Sequence, residues 1–300
     1  MTRPRMFAIW FAVAFGGSAG IAFAFADGWT GEYARMLSVL HMAPVLLATL
    51  LVQGPILKGA VLAPLGLKLM INRWWLVAWL APVVVLVLGV LFAWVFFGVD
   101  PVLDVDSYLA HKRALMAPEH LETFDQLVRE NPPSEPIWFW LVVQGLPAGL
   151  TINSLVALST ELGFRGFLFR EIRGGFWRRS LLIGLAETAW IAPPVAFGLG
   201  FPNHPGLGLV AMLLFCVVIS PVCVVLRVRA DSTMAVAIFR GTLLALMLPA
   251  AELAFDAADW QRPFYGLAGS AALLVLLALL ALHDRRAAQP LLSSGSASSA

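Results

Sequence analysis

Thr160-Glu161-Leu162-Gly163-Phe164-Arg165-Gly166-Phe167-Leu168-Phe169-Arg170-Glu171 is a charged island between long apolar runs. The chain around it has 300 residues, of which 60% are apolar and only 13% charged, and that is not the composition of a soluble fold. In such a chain charge persists only where a partner satisfies it or water reaches it. The other segments are therefore placed relative to this island.

Apolar stretches of about 20 residues, long enough to span a bilayer, fall near 6 to 26, 36 to 54, 76 to 98, 137 to 158, 180 to 199, 207 to 226, 233 to 251 and 265 to 282. They predict an all-α, polytopic integral membrane bundle of about eight transmembrane helices. The charges between them alternate as the positive-inside rule demands. Arg3, Arg5, Lys58, Lys68, Arg73, Arg165, Arg170, Arg173, Arg178, Arg179, Arg227, Arg229, Arg285 and Arg286 fall on one side. The other side holds Arg35, Lys112, Arg113, Arg129 and Arg262 among most of the acids. Both termini and the island then face the cytoplasm, and the expected location is a bacterial inner (plasma) membrane.

Residues 1-282 read as the integral membrane domain, with a core at about 137-252 and an extracytoplasmic loop at 99-136; 283-300 read as a disordered cytoplasmic tail rich in Ser and Ala. Arg3 and Arg5 before an apolar run also fit a cleaved signal peptide, but the run is long enough to span and further spans follow, which favours a first membrane helix. Between Gln53-Gly54-Pro55 and Trp74-Trp75 the pattern fits a segment lying along the interface. In the loop, Leu121, Phe124, Leu127 and Val128 recur at helical spacing after Pro118, which predicts a short amphipathic helix resting on the membrane or capping the bundle.

Several function classes are excluded or weakened. A net charge of +2, with the basic residues explained by topology, gives no reason to expect nucleic acid. Cys216 and Cys223 lie seven apart in one apolar run, so they share a helix face as buried thiols and cannot bridge within that helix. His204 reads as a solvated loop residue and His41 as a hydrogen-bonded helix residue. With no His, Cys or carboxylate cluster at ligand spacing, no metal site and no cofactor are expected.

Glu161 and Arg165 stand four residues apart and pair across one turn if the island is helical. The wider pattern, Glu161-Leu162-Gly163-Phe164-Arg165-Gly166, resembles the first signature of the CPBP family of CAAX prenyl-protein endopeptidases and bacteriocin-linked intramembrane proteases, which runs Glu-Glu-x-x-x-Arg. Trp190-Ile191-Ala192-Pro193 resembles the second signature. Ser232 to Arg240 resembles the approach to the third, His-x-x-x-Asn. The resemblance implies a CAAX-protease-like helical fold and peptide hydrolysis, in which a carboxylate draws a proton from water while His and Asn support the developing charge.

The departures bear on that chemistry. The family's first Glu falls on Thr160, its second-signature His on Ile191 with the preceding aromatic on Glu187, and its third-signature His and Asn on Arg240 and Leu244. Only Glu161 and Arg165 remain. Thr160 is no base at neutral pH, and Ile191 and Leu244 offer no polar side-chain atom. Glu187 and Arg240 are the charges placed deep in the bilayer, where each needs a partner, so a mutual ion pair is expected. The preferred reading is a pseudoprotease that binds a transmembrane or prenylated peptide or protein within the bilayer. Its rivals are an active endopeptidase with Glu161 or Glu187 as base, and a small-molecule or proton-coupled transporter.

Overall fold

A computed structural model of the chain describes residues 3–57, 60–133, 136–287 and 289–292, and these are helices and connecting turns with no strand among them. Helices α1 (Pro4–Ala24), α2 (Ala34–Ile56) and α3 (Arg73–Phe97) are each long and apolar enough to cross a membrane. So are α9 (Pro205–Arg229), α10 (Thr233–Leu253) and α11 (Leu267–Arg285). Two loop helices, α4 (Val105–Ala114) and α5 (Leu121–Glu130), precede the bent pair α6 (Ile137–Leu150) and α7 (Ile152–Glu171). Helix α8 (Phe176–Ala196) follows the island. Lys58, in the expected interfacial segment, lies outside the described residues.

Length and composition alone do not reach the expected eight. Six helices pass on length and composition, and a seventh span results if the bent pair is taken as one. Helix α8 falls short on composition, since it carries Arg178, Arg179 and Glu187 and two prolines. It nevertheless runs from one end of the bundle to the other. Near its start Trp177 Nε1 donates to the Leu292 carbonyl, and just past its end the Asn203 and His204 amides donate to Asp259. Its charges are tolerated because Glu187 is buried against other helices and the arginines sit at the first turn.

The span expected at 137 to 158 is not one helix. It breaks at Thr151 (φ −109°, ψ −100°), with a bend of 52° between α6 and α7. Carbonyls freed within a bilayer must find donors, and here the side chains just past the break supply them. Asn153 Nδ2 donates to the Ala148 carbonyl (3.2 Å) and Ser154 Oγ to that of Gly149, while Thr151 Oγ1 adds a second donor (2.7 Å) to the Pro147 carbonyl that its own amide already holds. The pair still crosses the bundle, antiparallel to α10. A Cβ on Gly145 would meet Leu246, one on Gly149 would meet Thr242, and one on Gly241 would meet the Ser154 backbone. It is therefore a broken span and not a re-entrant loop.

Two apolar clusters fill the interior. One is built from α3, α9, α10 and α11, around Phe215, Ile219, Phe239 and Leu273. The other joins α1, α2 and α7 through Trp10, Val45, Phe164 and Phe167. Trp10 is fully buried, stacked on Phe167 and donating to Thr49 Oγ1 at 2.9 Å, so α1 is an integral part of the packing. Cys216 and Cys223 are free and buried in the first cluster.

Several local expectations change. The loop at 99-136 holds two helices, and α4 is latched to the end of α10 by the Val102 amide on the Leu253 carbonyl and by Lys112 on Glu252. Beyond residue 282, α11 runs to Arg285, and Asp284 accepts from Arg229 and from the amides of Leu291 and Leu292. Of the expected tail, Ser293 to Ala300 lie outside the described residues. His204 is not simply solvated, since its Nδ1 lies 2.8 Å from Asp259 Oδ1. His41 is buried against the Trp190 ring, its carbonyl accepts from Ser18, and its Nε2 has no hydrogen-bond partner among the described residues.

Candidate functional site

The island folds in two parts. The first turns of α7 are regular, but Leu162–Leu168 winds as a π-helix, and all seven of its residues are buried. Such wide turns mark functional sites more often than ordinary helix does. Small residues let this segment sink into the bundle. A Cβ on Gly163 would press on Trp10 and Thr49, and one on Gly166 would press on the Leu65 backbone.

The wide turn aims Arg165 inward. Its Nη1 lies 3.3 Å from Glu161 Oε1, the i,i+4 contact expected from spacing, and also 2.7 Å from Glu187 Oε2 on α8. Arg240 on α10 closes the figure, with Nη2 2.5 Å from Glu187 Oε1 and Nε 3.5 Å from Glu161 Oε1. Two carboxylates and two guanidiniums therefore alternate in a ring at the seam of the two apolar clusters. The side chains of Glu161 and Arg165 are 0% exposed, that of Glu187 2% and that of Arg240 16%.

The ring lies inside the membrane-spanning part. At the helical rise, Arg240 is about 10 Å along α10 from Thr233, and Glu187 about 16 Å along α8 from Phe176, both measured from the end rich in arginine. Burying four charges costs several kcal/mol per ion before pairing, and alternation of sign is what offsets it. The compensation is incomplete. Glu161 Oε2, Arg165 Nε and Nη2, and Arg240 Nη1 have no hydrogen-bond partner among the described residues.

The remaining positions named from sequence stand around this ring differently. Thr160 is buried and its hydroxyl is spent on the Ala157 carbonyl at 3.0 Å. Ile191, one helical turn beyond Glu187, packs half-buried against both apolar clusters. Leu244 is half-buried on α10, one turn past Arg240. The i,i+4 spacing anticipated the contact of Glu161 with Arg165, and the depth of two charges in the bilayer that of Glu187 with Arg240, but as two separate pairs. The contacts that join them, Arg165 to Glu187 and Arg240 to Glu161, depend on how α7, α8 and α10 pack, and no local pattern announces them.

Fold and site together define a polytopic helical membrane protein with an ionic centre inside the bundle. Residues 137–246 match the model of the family described as type II CAAX prenyl endopeptidase, Rce1-like. That stretch runs from the first residue of α6 into α10 and contains all four ring residues. Over these residues the chain is similar to the Rce1-like endopeptidases of the CPBP family. No curated protein matches the chain.

Proposed function

We propose that this protein is a non-hydrolytic homologue of the Rce1-like endopeptidases, a pseudoprotease that holds a transmembrane or prenylated peptide, or a membrane protein partner, against its bundle. The observation that carries this reading is the ring itself. In the family that the sequence resembles, a carboxylate must hold and deprotonate water with His and Asn nearby. Here Thr160, Ile191 and Leu244 supply neither, and both carboxylates that remain are engaged by guanidiniums. The charge asymmetry of the loops supports placement in a bacterial inner membrane with both termini cytoplasmic.

The unpartnered Glu161 Oε2 is what an active endopeptidase would need in order to hold a water, so it defines the test. The purified protein in nanodiscs is presented with farnesylated CAAX-type peptides and a broad peptide library, beside the Glu161→Gln variant. No cleavage, with retained binding of a prenylated peptide, is the expected result. Cleavage that Glu161→Gln abolishes would overturn the proposal in favour of an active enzyme.

A further inference from the structure

Helices α4 and α5 form a hairpin over the end of the bundle opposite the arginine-rich one, and between them lies a cavity of about 320 Å³. That is the lower end of the range for small-ligand sites. Leu109, Ala110, Phe124 and Val128 make its apolar lining, and Asp106, Arg113, Asp125 and Arg129 its charged lining. Two of these charges are already matched: Arg113 Nε donates to Asp125 Oδ1 at 2.9 Å, and its Nη2 pairs with the other oxygen. Asp106 and Arg129 have no ion-pair or hydrogen-bonding side-chain partner among the described residues. The cavity therefore offers one free acid, one free base and an apolar floor.

Its position limits what can reach it. The hairpin is held against the membrane-spanning part through Lys112 on Glu252, Tyr108 on Glu252 and the His111 ring stacked on Phe255. Six residues separate α5 from α6, whose first turn carries Trp138, Phe139 and Trp140, each 40 to 44% exposed, as an aromatic belt at headgroup depth would be. Leu115 and Leu127 on the hairpin are exposed apolar side chains, 73% and 54%. These are groups that prefer the headgroup and acyl boundary to water.

We propose that the α4–α5 cavity binds the headgroup of a zwitterionic aminophospholipid, with Arg129 on the phosphate, Asp106 on the ammonium, and Phe124 and Val128 against the glycerol end. Charge complementarity selects this class. An anionic glycerol headgroup would satisfy Arg129 but would leave Asp106 facing a like charge. An aminophospholipid neutralises both.

The test uses the full chain, stripped of lipid in detergent, and measures bound lipid by native mass spectrometry with phosphatidylethanolamine, phosphatidylglycerol and soluble phosphoethanolamine. The expected result is a preference for phosphatidylethanolamine. It should weaken about fivefold on Arg129→Gln or Asp106→Asn, the size of one charge contact at the headgroup layer. Asp106→Arg should turn the preference towards phosphatidylglycerol. Both residues are exposed, so the variants keep the fold, and an unchanged melting temperature without lipid verifies it. Equal binding of the two lipids by the unaltered protein, unchanged binding in the variants, or soluble phosphoethanolamine binding as tightly as the lipid would each overturn the proposal.

Discussion

Arg165 Nη1 stands 2.7 Å from Glu187 Oε2, and through this contact the π-helical turn of α7 is tied to α8. Glu187 consequently sits between two guanidiniums at 2.5 and 2.7 Å, whereas Glu161 sits between the same two at 3.3 and 3.5 Å. The ring is lopsided, and its tight side is the one that joins three helices.

Glu187→Ala should therefore destabilise the protein more than Glu161→Ala. Removing one member of a buried ionic network costs about 3–5 kcal/mol, and Glu187→Ala belongs at the top of that range. Equilibrium unfolding in mixed detergent micelles checks the order. In the cycle of Glu187→Ala, Arg240→Ala and the double variant, the double loss should fall short of the sum by about 1–3 kcal/mol. Simple additivity would mean that the pair contributes nothing.

The seam between the broken span and α10 should tolerate no side chain. A Cβ on Gly241 would stand 2.6 Å from Ser154 Cα, and one on Gly149 would stand 2.6 Å from Thr242 Cα. Each Gly→Ala change should cost about 1–3 kcal/mol, since backbone on both sides has to move. Gly20→Ala in α1, where nothing lies within 4 Å, should be neutral or slightly stabilising. Melting temperatures of the three variants separate the cases.

Asp259 gives the acidic end a pH dependence. Burial pushes its carboxyl up, but the amides of Asn203 and His204 and the His204 side chain outweigh that and hold it below the usual carboxylate range. A carboxyl with a depressed folded value contributes stability at pH above its unfolded value and loses it as pH falls through the folded one. The melting temperature of the wild type should thus fall more steeply below about pH 4 than that of Asp259→Asn. Parallel curves would show that the loop contact carries no linkage.

Asp284 gathers Arg229 and the amides of Leu291 and Leu292 at the end of α11. Asp284→Ala should release that turn while leaving the spans assembled. Limited proteolysis should then cut within residues 286 to 292 faster than in the wild type, and an unchanged rate would show that the turn is held by other contacts.

The spans were legible because hydropathy over about 20 residues is a one-dimensional property. The break at Thr151 was not, because α6 and α7 together form one continuous apolar run. Its trace in the sequence is the cluster Thr151, Asn153, Ser154 placed just after Pro147 and Gly149, a set of donors suited to freed carbonyls. Helix α4 escaped because its few apolar residues, Val105, Leu109 and Ala110, form no clear helical stripe, and contacts with Glu252, Leu253 and Phe255 hold it in place. Within the site, the charges and their depth could be read from the chain, since unpaired charge in an apolar run demands a partner. The closure of the ring could not, because it depends on three helices meeting.

With its two carboxylates ionised, the ring carries two negative and two positive charges and sums to zero. A transmembrane voltage of 100 mV acts on a single charge with about 2.3 kcal/mol across the full membrane. On this ring the opposing forces cancel. The four charges can shift together along the bilayer normal without doing electrical work, so the ionic centre is electrically silent: it fixes helices in place but gives the membrane potential nothing to pull on.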